Sequence, residues 1–230
     1  MNRKLFTHIT DYDTSKLDVV NSVTKETGRK YYHPNGNSYP SITTIMGWLA
    51  KDGIKKWREQ VGETEYNTIL SRASKRGTSV HDVCERYLLN EENYIDKSDF
   101  ILNQSFTDIK NILDKHVDDI LCLEKALYSD FLGVAGKTDC VAKYKNRKSI
   151  IDFKSSRKIK KKEYIKGYFM QATAYSIMFE ELTGIGIPNI VIVITVDHEG
   201  VQVFEEKRDN YVSELIDTIK KYKKENIESE

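Results

Sequence analysis

Two acids and an amine stand in strand-like sequence between Gly136 and Lys158: Asp139 in GKTDCVAKY, then Asp152 and Lys154 in SIIDFKSSRK. Alternation along the first segment sets Val134, Gly136 and Thr138 on one face, and Ala135, Lys137, Asp139 and Val141 on the other. In the second, Ile150, Asp152 and Lys154 share a face opposite Ile151 and Phe153. The polar pair Lys145-Asn146 between them reads as a tight turn. Antiparallel pairing around that turn brings residue 139 level with about residue 152, so two carboxylates sit side by side with Lys154 one pleat further on. Carboxylates that close repel, and each is pushed toward protonation unless a cation lies between them. A hard divalent ion, Mg2+ or Mn2+, resolves the conflict, taking carboxylate oxygens, waters and substrate phosphate. A nearby lysine can then orient the attacking water or stabilise developing charge. The set is a workable kit for phosphodiester hydrolysis; the other reading is an ion-paired sheet surface on which Lys154 neutralises Asp152.

Other residues could join it. His81, in RGTSVHDVCERYL, shares a helical stripe with Cys84 and Leu88; it reads as a hydrogen-bonded core residue or as a neutral imidazole ligand to the same ion. Glu124 opens the strand-like LEKALYS, as an exposed strand-end acid or a further ligand. Gln171 and Tyr175 stand four apart in GYFMQATAYSIMF, with Tyr168 three before Gln171. They form core-edge packing or a polar wall that positions a nucleotide. Cations crowd the segment from Lys143 to Lys166, with Arg157, Lys158, Lys160, Lys161 and Lys162 directly after the acids. That run suits a phosphate-tracking groove, to which the Ser155 and Ser156 hydroxyls could add contacts.

Positioning these groups takes a folded core. The hydrophobic share is 39% and the charged share 31%, with only 3 prolines, which is the composition of an ordered globular chain. Its 230 residues suffice for one substantial core. A net charge of +1 leaves any argument about partners to local charge. Cys84, Cys122 and Cys140 are scattered without a CxxC pair, which points to buried thiols in a reducing compartment and away from a cysteine-held zinc or iron–sulfur site. No apolar run nears the roughly 20 residues of a membrane helix, and MNRKLFTHIT lacks the apolar stretch of a signal peptide, so the cytoplasm is expected. The spacing predicts helices over 51–60, 63–90 and 98–120, three strands up to about Ser156, a helix over 163–182, a buried strand NIVIVITVD, an alternating strand GVQVFEE, and a closing helix over 208–225. Ser41 and Thr43 are candidate caps of a helix through Trp48. This order gives an α/β fold with a mixed central sheet flanked by helices and an N-terminal helical portion.

GKTD, then IIDFKSS, then QATAY resembles the RecB-type branch of the PD-(D/E)XK nuclease superfamily, which places G-x-x-D, D-x-K and Q-x-x-x-Y in that order. RGTSVHDVCERYL is similar to that branch's helix with a metal-binding histidine. YPSITTIM and DCVAKYKNRKSIIDFKSSRK look like the mitochondrial genome maintenance exonuclease group and its phage relatives. The resemblance covers roughly residues 39–225. It implies a restriction-endonuclease-like core over 121–230 and an N-terminal hairpin and helical cover over 1–120, in one compact domain. It further implies Mg2+ or Mn2+ bound by Asp139, Asp152, the Phe153 carbonyl and His81, with Glu124 a less secure ligand. Lys154 would act on the attacking water, and Gln171 and Tyr175 would flank the scissile strand. The expected activity is a metal-dependent DNA exonuclease preferring single strands or free ends, acting as a monomer in a bacterial or phage-infected cell. The rival readings are a structure-selective endonuclease on the same fold and a DNA-end-binding module without turnover.

Overall fold

The computed structural model describes residues 3–96 and 98–227. A small antiparallel sheet comes first: β1 (Asn21–Lys25), β2 (Gly28–Tyr32) and β3 (Ser38–Pro40). Four helices follow, α1 (Ile42–Leu49), α2 (Lys51–Val61), α3 (Glu63–Leu88) and α4 (Phe100–His116). The main sheet runs in the order β4 (Val117–Ser129), β5 (Val134–Tyr144), β6 (Arg147–Ser156), β7 (Asn189–Val196) and β8 (Gly200–Lys207). Helix α5 (Lys166–Thr183) connects β6 to β7, the parallel pair of the main sheet, and α6 (Val212–Ile227) closes the described chain. The predicted mixed sheet with helices on its faces is thus the architecture found.

Two apolar layers sandwich the sheet. Ile190, Ile192, Ile194 and Val196 of β7 pack with Phe169, Met178 and Phe179 of α5 and with Leu215 of α6. Val191 and Val193 face the other way, with Val80, Val83, Tyr87 and Leu88 of α3 and Ile109 and Leu113 of α4. Every residue of β7 is buried, which is why its sequence is a continuous apolar run rather than an alternating one. Ser41 caps α1 as expected, its side chain accepting from the Thr43 N–H.

Three expectations give way. The helix predicted over 98–120 ends at His116, and Val117 and Ile120 belong to β4. Both still face the α3–α4 layer, so their spacing fits either state; a register shift between Asp118 and Cys122, with Asp119 at φ 47°, makes the strand version possible. The apolar stripe of α3 begins only at Val80; Leu70 is 51% exposed, and α2 buries none of its residues. Finally, the alternation read along β5 breaks. Val134 and Val141 lie in one layer although they are an odd number of residues apart. Strand β4 breaks with it: Leu123 faces α3 and α4, whereas Leu127 faces α5. Between the rungs Leu123↔Cys140 and Leu127↔Gly136 stands Glu124 at φ 50°, and both strands change faces there together.

Gly136 permits the closest packing on this stretch. A Cβ there would lie 2.7 Å from Tyr175 Cε1 and 3.0 Å from Ile42 Cγ2. Gly136→Ala is therefore expected to cost about 1–3 kcal/mol by overpacking, read as a lower denaturation midpoint at unchanged m-value. A midpoint equal to that of the native chain would show that the ring moves freely.

Candidate metal and catalytic site

The acids come from the open end of the β5–β6 hairpin. Its ladder runs from Tyr144↔Arg147 to Cys140↔Ile151 and stops one rung before residues 139 and 152 would meet. There the Phe153 N–H donates to Asp139 Oδ2 at 2.7 Å, so the carboxylate does the work of a strand carbonyl. Asp139 Oδ1 lies 3.3 Å from His81 Nδ1. The β4–β5 ladder skips a rung between Leu123↔Cys140 and Lys125↔Thr138, which sets Glu124 across from Asp139. Glu124 Oε1 lies 4.0 Å from His81 Nδ1, and Lys137 Nζ binds Glu124 Oε2 at 2.6 Å. One ligand atom from each of His81, Glu124 and Asp139 falls within 4.8 Å of the other two. An imidazole nitrogen with two carboxylate oxygens is a donor set suited to a divalent cation, so the residues present fit a metal of the kind that the motifs imply. His81 and Glu124 line an open cleft of about 370 Å³ with Gly77, Thr78, Asp82 and Glu85.

Asp152 is held differently. It is fully buried, its Oδ2 is paired with the Lys154 ammonium, and its Oδ1 accepts from Gln171 Nε2 at 3.4 Å. Gln171 Nε2 also donates to the Tyr175 hydroxyl at 2.9 Å. Lys154 Nζ stands 5.3 Å from the centroid of the Tyr168 ring.

The charges bear on one another. Burial pushes the Asp152 carboxyl up to about 6, aided by the Asp139 charge and opposed by Lys154. Burial alone would lower His81, but the hydrogen bond and charge of Asp139 outweigh it and raise the imidazole. Burial likewise works against an ionised Asp139, yet His81, Lys154 and the Phe153 N–H hold that carboxyl below its ordinary value. Burial raises Glu124, with Lys137 opposing.

The other predicted site residues have the following surroundings. Tyr175 is 1% exposed with its ring under Gly136, and its hydroxyl accepts from Gln171 within the core. Ser156 is buried, and its hydroxyl donates to the Lys158 carbonyl at 2.7 Å within its own turn. Ser155 is half-buried beneath α3, where a Cβ on Gly77 would meet its hydroxyl at 3.8 Å. The basic run is not one groove. Lys143, Lys145, Arg147 and Lys148 surround the hairpin turn, about 13–20 Å from the acids at strand rise, and Lys143, Lys145 and Arg147 pair with Asp119 or Glu205. Arg157, Lys158 and Lys161 are exposed after β6. Lys160 is fixed by its backbone, its N–H donating to Gln202 Oε1 at 2.8 Å and its carbonyl accepting from Gln202 Nε2 at 3.0 Å, while Lys162 pairs with Glu206. One member of the cluster was not singled out from sequence, Lys137. Its signal was spacing alone, two residues before Asp139.

No family model matches the chain. It is 25% identical over 150 residues to human "Mitochondrial genome maintenance exonuclease 1", a match spanning 60% of this chain and 43% of that protein. It is 27% identical over 132 residues to the mouse protein of the same name, spanning 54% of this chain and 39% of that one. The chain thus matches about two fifths of the length of these relatives. A candidate exonuclease from Eubacterium rectale, known from its crystal structure, superposes with a TM-score of 0.46 at 16% identity, covering 64% of this chain and 63% of that one. The likeness in sequence to the two mammalian exonucleases supports a nuclease family of the kind that the ordered motifs resemble.

A bound ion stabilises the folded state by mass action. Mn2+ at about a hundred times its dissociation constant is expected to add about 2.7 kcal/mol, a shift of roughly 5–10 °C in Tm, and Asp139→Asn is expected to lose most of it. The shift also depends on pH. His81 and Asp152 are both raised in the folded metal-free protein, so their contribution to stability is full at low pH and fades as pH rises through those raised values. A ligand must shed its proton to bind metal. The Mn2+ increment in Tm therefore grows as pH rises above about 6, where Asp152 and then the raised His81 lose their protons; an increment independent of pH would remove His81 from the ligand set.

Proposed function

We propose that the chain is a divalent-metal-dependent deoxyribonuclease, an exonuclease acting on single-stranded DNA or free DNA ends with Mg2+ or Mn2+. The observation that carries this reading is the meeting of His81, Glu124 and Asp139 beside the buried Asp152–Lys154 pair. His81, Asp139 and Glu124 would hold the ion, with Asp152 and the Phe153 carbonyl completing its protein ligands. When bound, such an ion supplies positive charge to the scissile phosphate and lowers the pKa of the attacking water.

The remaining work falls to the chain. Lys154, held as an ammonium by Asp152, would orient the attacking water and offset the negative charge developing on the scissile phosphate. Gln171, braced by the Tyr175 hydroxyl, fixes the Asp152 carboxylate. The segment Arg157–Lys161 lies just past the acids and would meet the phosphates of the incoming strand. Residues 121–230 would form the nuclease core and residues 1–120 its cover. Helix α2 and the first half of α3, joined by the single residue Gly62, supply the part of that cover with no buried side chains before Val80. The likeness in sequence to the human and mouse exonucleases supports the same assignment.

Lys154→Ala and Asp152→Asn are each expected to slow cleavage by about a hundredfold or more while DNA affinity stays within about threefold. Labelled linear oligonucleotides with and without Mn2+ provide the assay, and native rates in either variant would refute the site. Covalently closed circular single-stranded DNA should survive; its cleavage would indicate an endonuclease. Reversing the charge of Lys158 and Lys161 should flatten the salt dependence of single-strand binding by about 0.7 in log–log slope per lost contact. The same change at Lys162, already engaged by Glu206, should do less.

A further inference from the structure

We propose that Tyr168 is a positioning residue for Lys154, its ring face fixing where the ammonium stands when Asp152 is drawn toward a bound ion. The inference rests on the reading of Asp152 as a ligand and Lys154 as the water-facing amine. Among the described residues two close contacts hold that ammonium, the ion pair with Asp152 and the Tyr168 ring, whose centroid is 5.3 Å from Nζ.

The two contacts respond differently to metal. A carboxylate that shares its charge with a divalent ion holds a neighbouring ammonium less firmly. The negative face of an aromatic ring has no second claimant. Lysine carries four flexible carbons and loses its aim without restraint. The ring is well placed to give it: Tyr168, Gln171 and Tyr175 share one stripe of α5, and the neighbouring Phe169 and Met170 are buried in the core, which anchors that turn of helix. Tyr168 itself is half-buried, and a partly desolvated cation over a ring is held more strongly than an exposed one. The α5 stripe thereby clasps both ends of the D-x-K segment, Gln171 at the acid and Tyr168 at the amine.

The test compares Tyr168→Phe with Tyr168→Leu in the full chain. A leucine fills much of the space but offers no face to a cation, so a packing role and a positioning role separate. In the metal-free protein, the Lys154 side-chain methylene protons nearest the ammonium should show an upfield ring-current shift by NMR. That shift should persist in the phenylalanine variant and vanish in the leucine one. With Mn2+, Tyr168→Leu should lower kcat about five- to thirtyfold at unchanged KM and unchanged Mn2+ thermal shift, while Tyr168→Phe stays within about twofold of native. Native kcat in the leucine variant, an equal loss in both variants, or a loss confined to KM would each overturn the proposal. Should the leucine variant not fold, a series of progressively fluorinated phenylalanines at position 168 decides. Fluorination drains the ring face at nearly constant shape, so kcat must fall along the series, and a flat series overturns the inference. If Lys154→Ala cleaves at the native rate, it is the functional reading that falls, and the NMR comparison still decides whether the ring holds the amine.

Discussion

Glu124, Asp139 and Asp152 crowd one end of a sheet, and that crowding is tolerable because each acid has its own partner: the Lys137 ammonium for Glu124, the His81 imidazole for Asp139, the Lys154 ammonium for Asp152. Unpartnered, three such carboxylates would repel one another and lose their water, and at least one would stay protonated near neutrality. The pairing keeps the site folded before any ion arrives. It also ranks the acids. Asp139, with a hydrogen-bonded imidazole and a backbone N–H, is the most firmly ionised, whereas Asp152, wholly buried, sits near the middle of the accessible pH range. A divalent ion bound in this cluster would take the place of partners already present rather than fill a bare hole.

The fold delivers these partners from opposite sides. Helix α3 belongs to one apolar layer and brings His81, while α5 belongs to the other and brings Gln171, Tyr175 and Tyr168. Side chains from both layers can reach one spot only where the sheet between them opens. The hairpin ladder ends after Cys140↔Ile151, and Asp139 then bonds to the backbone of Phe153 instead of facing Asp152 across a rung. On the neighbouring strand Glu124 takes a left-handed conformation at φ 50°, uncommon for a residue with a side chain and typical of places where function holds a strained geometry.

Much of this was legible in the residues. The acids, the lysine, the turn at Lys145-Asn146 and the continuous apolar run of β7 all follow from local pattern, and local pattern governs strands and turns directly. The strain at Glu124 was not legible, because nothing in LEKALYS marks a left-handed residue, and so the face assignment along β5 failed just where both strands cross over. Tyr175 read as core-edge packing or as a substrate contact because a tyrosine four residues after a glutamine can face either way; the space left by Gly136 sets its ring inward. The helix end at His116 was misplaced because Val117 and Ile120 satisfy both a helical and a bulged-strand pattern. The split of the cationic run into a paired set at the turn and an exposed set after β6 depended on acids from β4 and β8, distant in sequence.

The joint change of faces in β4 and β5 carries an evolutionary corollary. Each strand is divided into two halves with opposite hydrophobic phase, joined at one rung. Adding or deleting a residue within either half would turn that half inside out while leaving the other correct, a fault no adjacent loop can absorb. Insertions are therefore expected to be borne most easily at the connections Asp130–Gly133 and Lys145-Asn146, and changes of composition more easily than changes of spacing between Leu123 and Cys140.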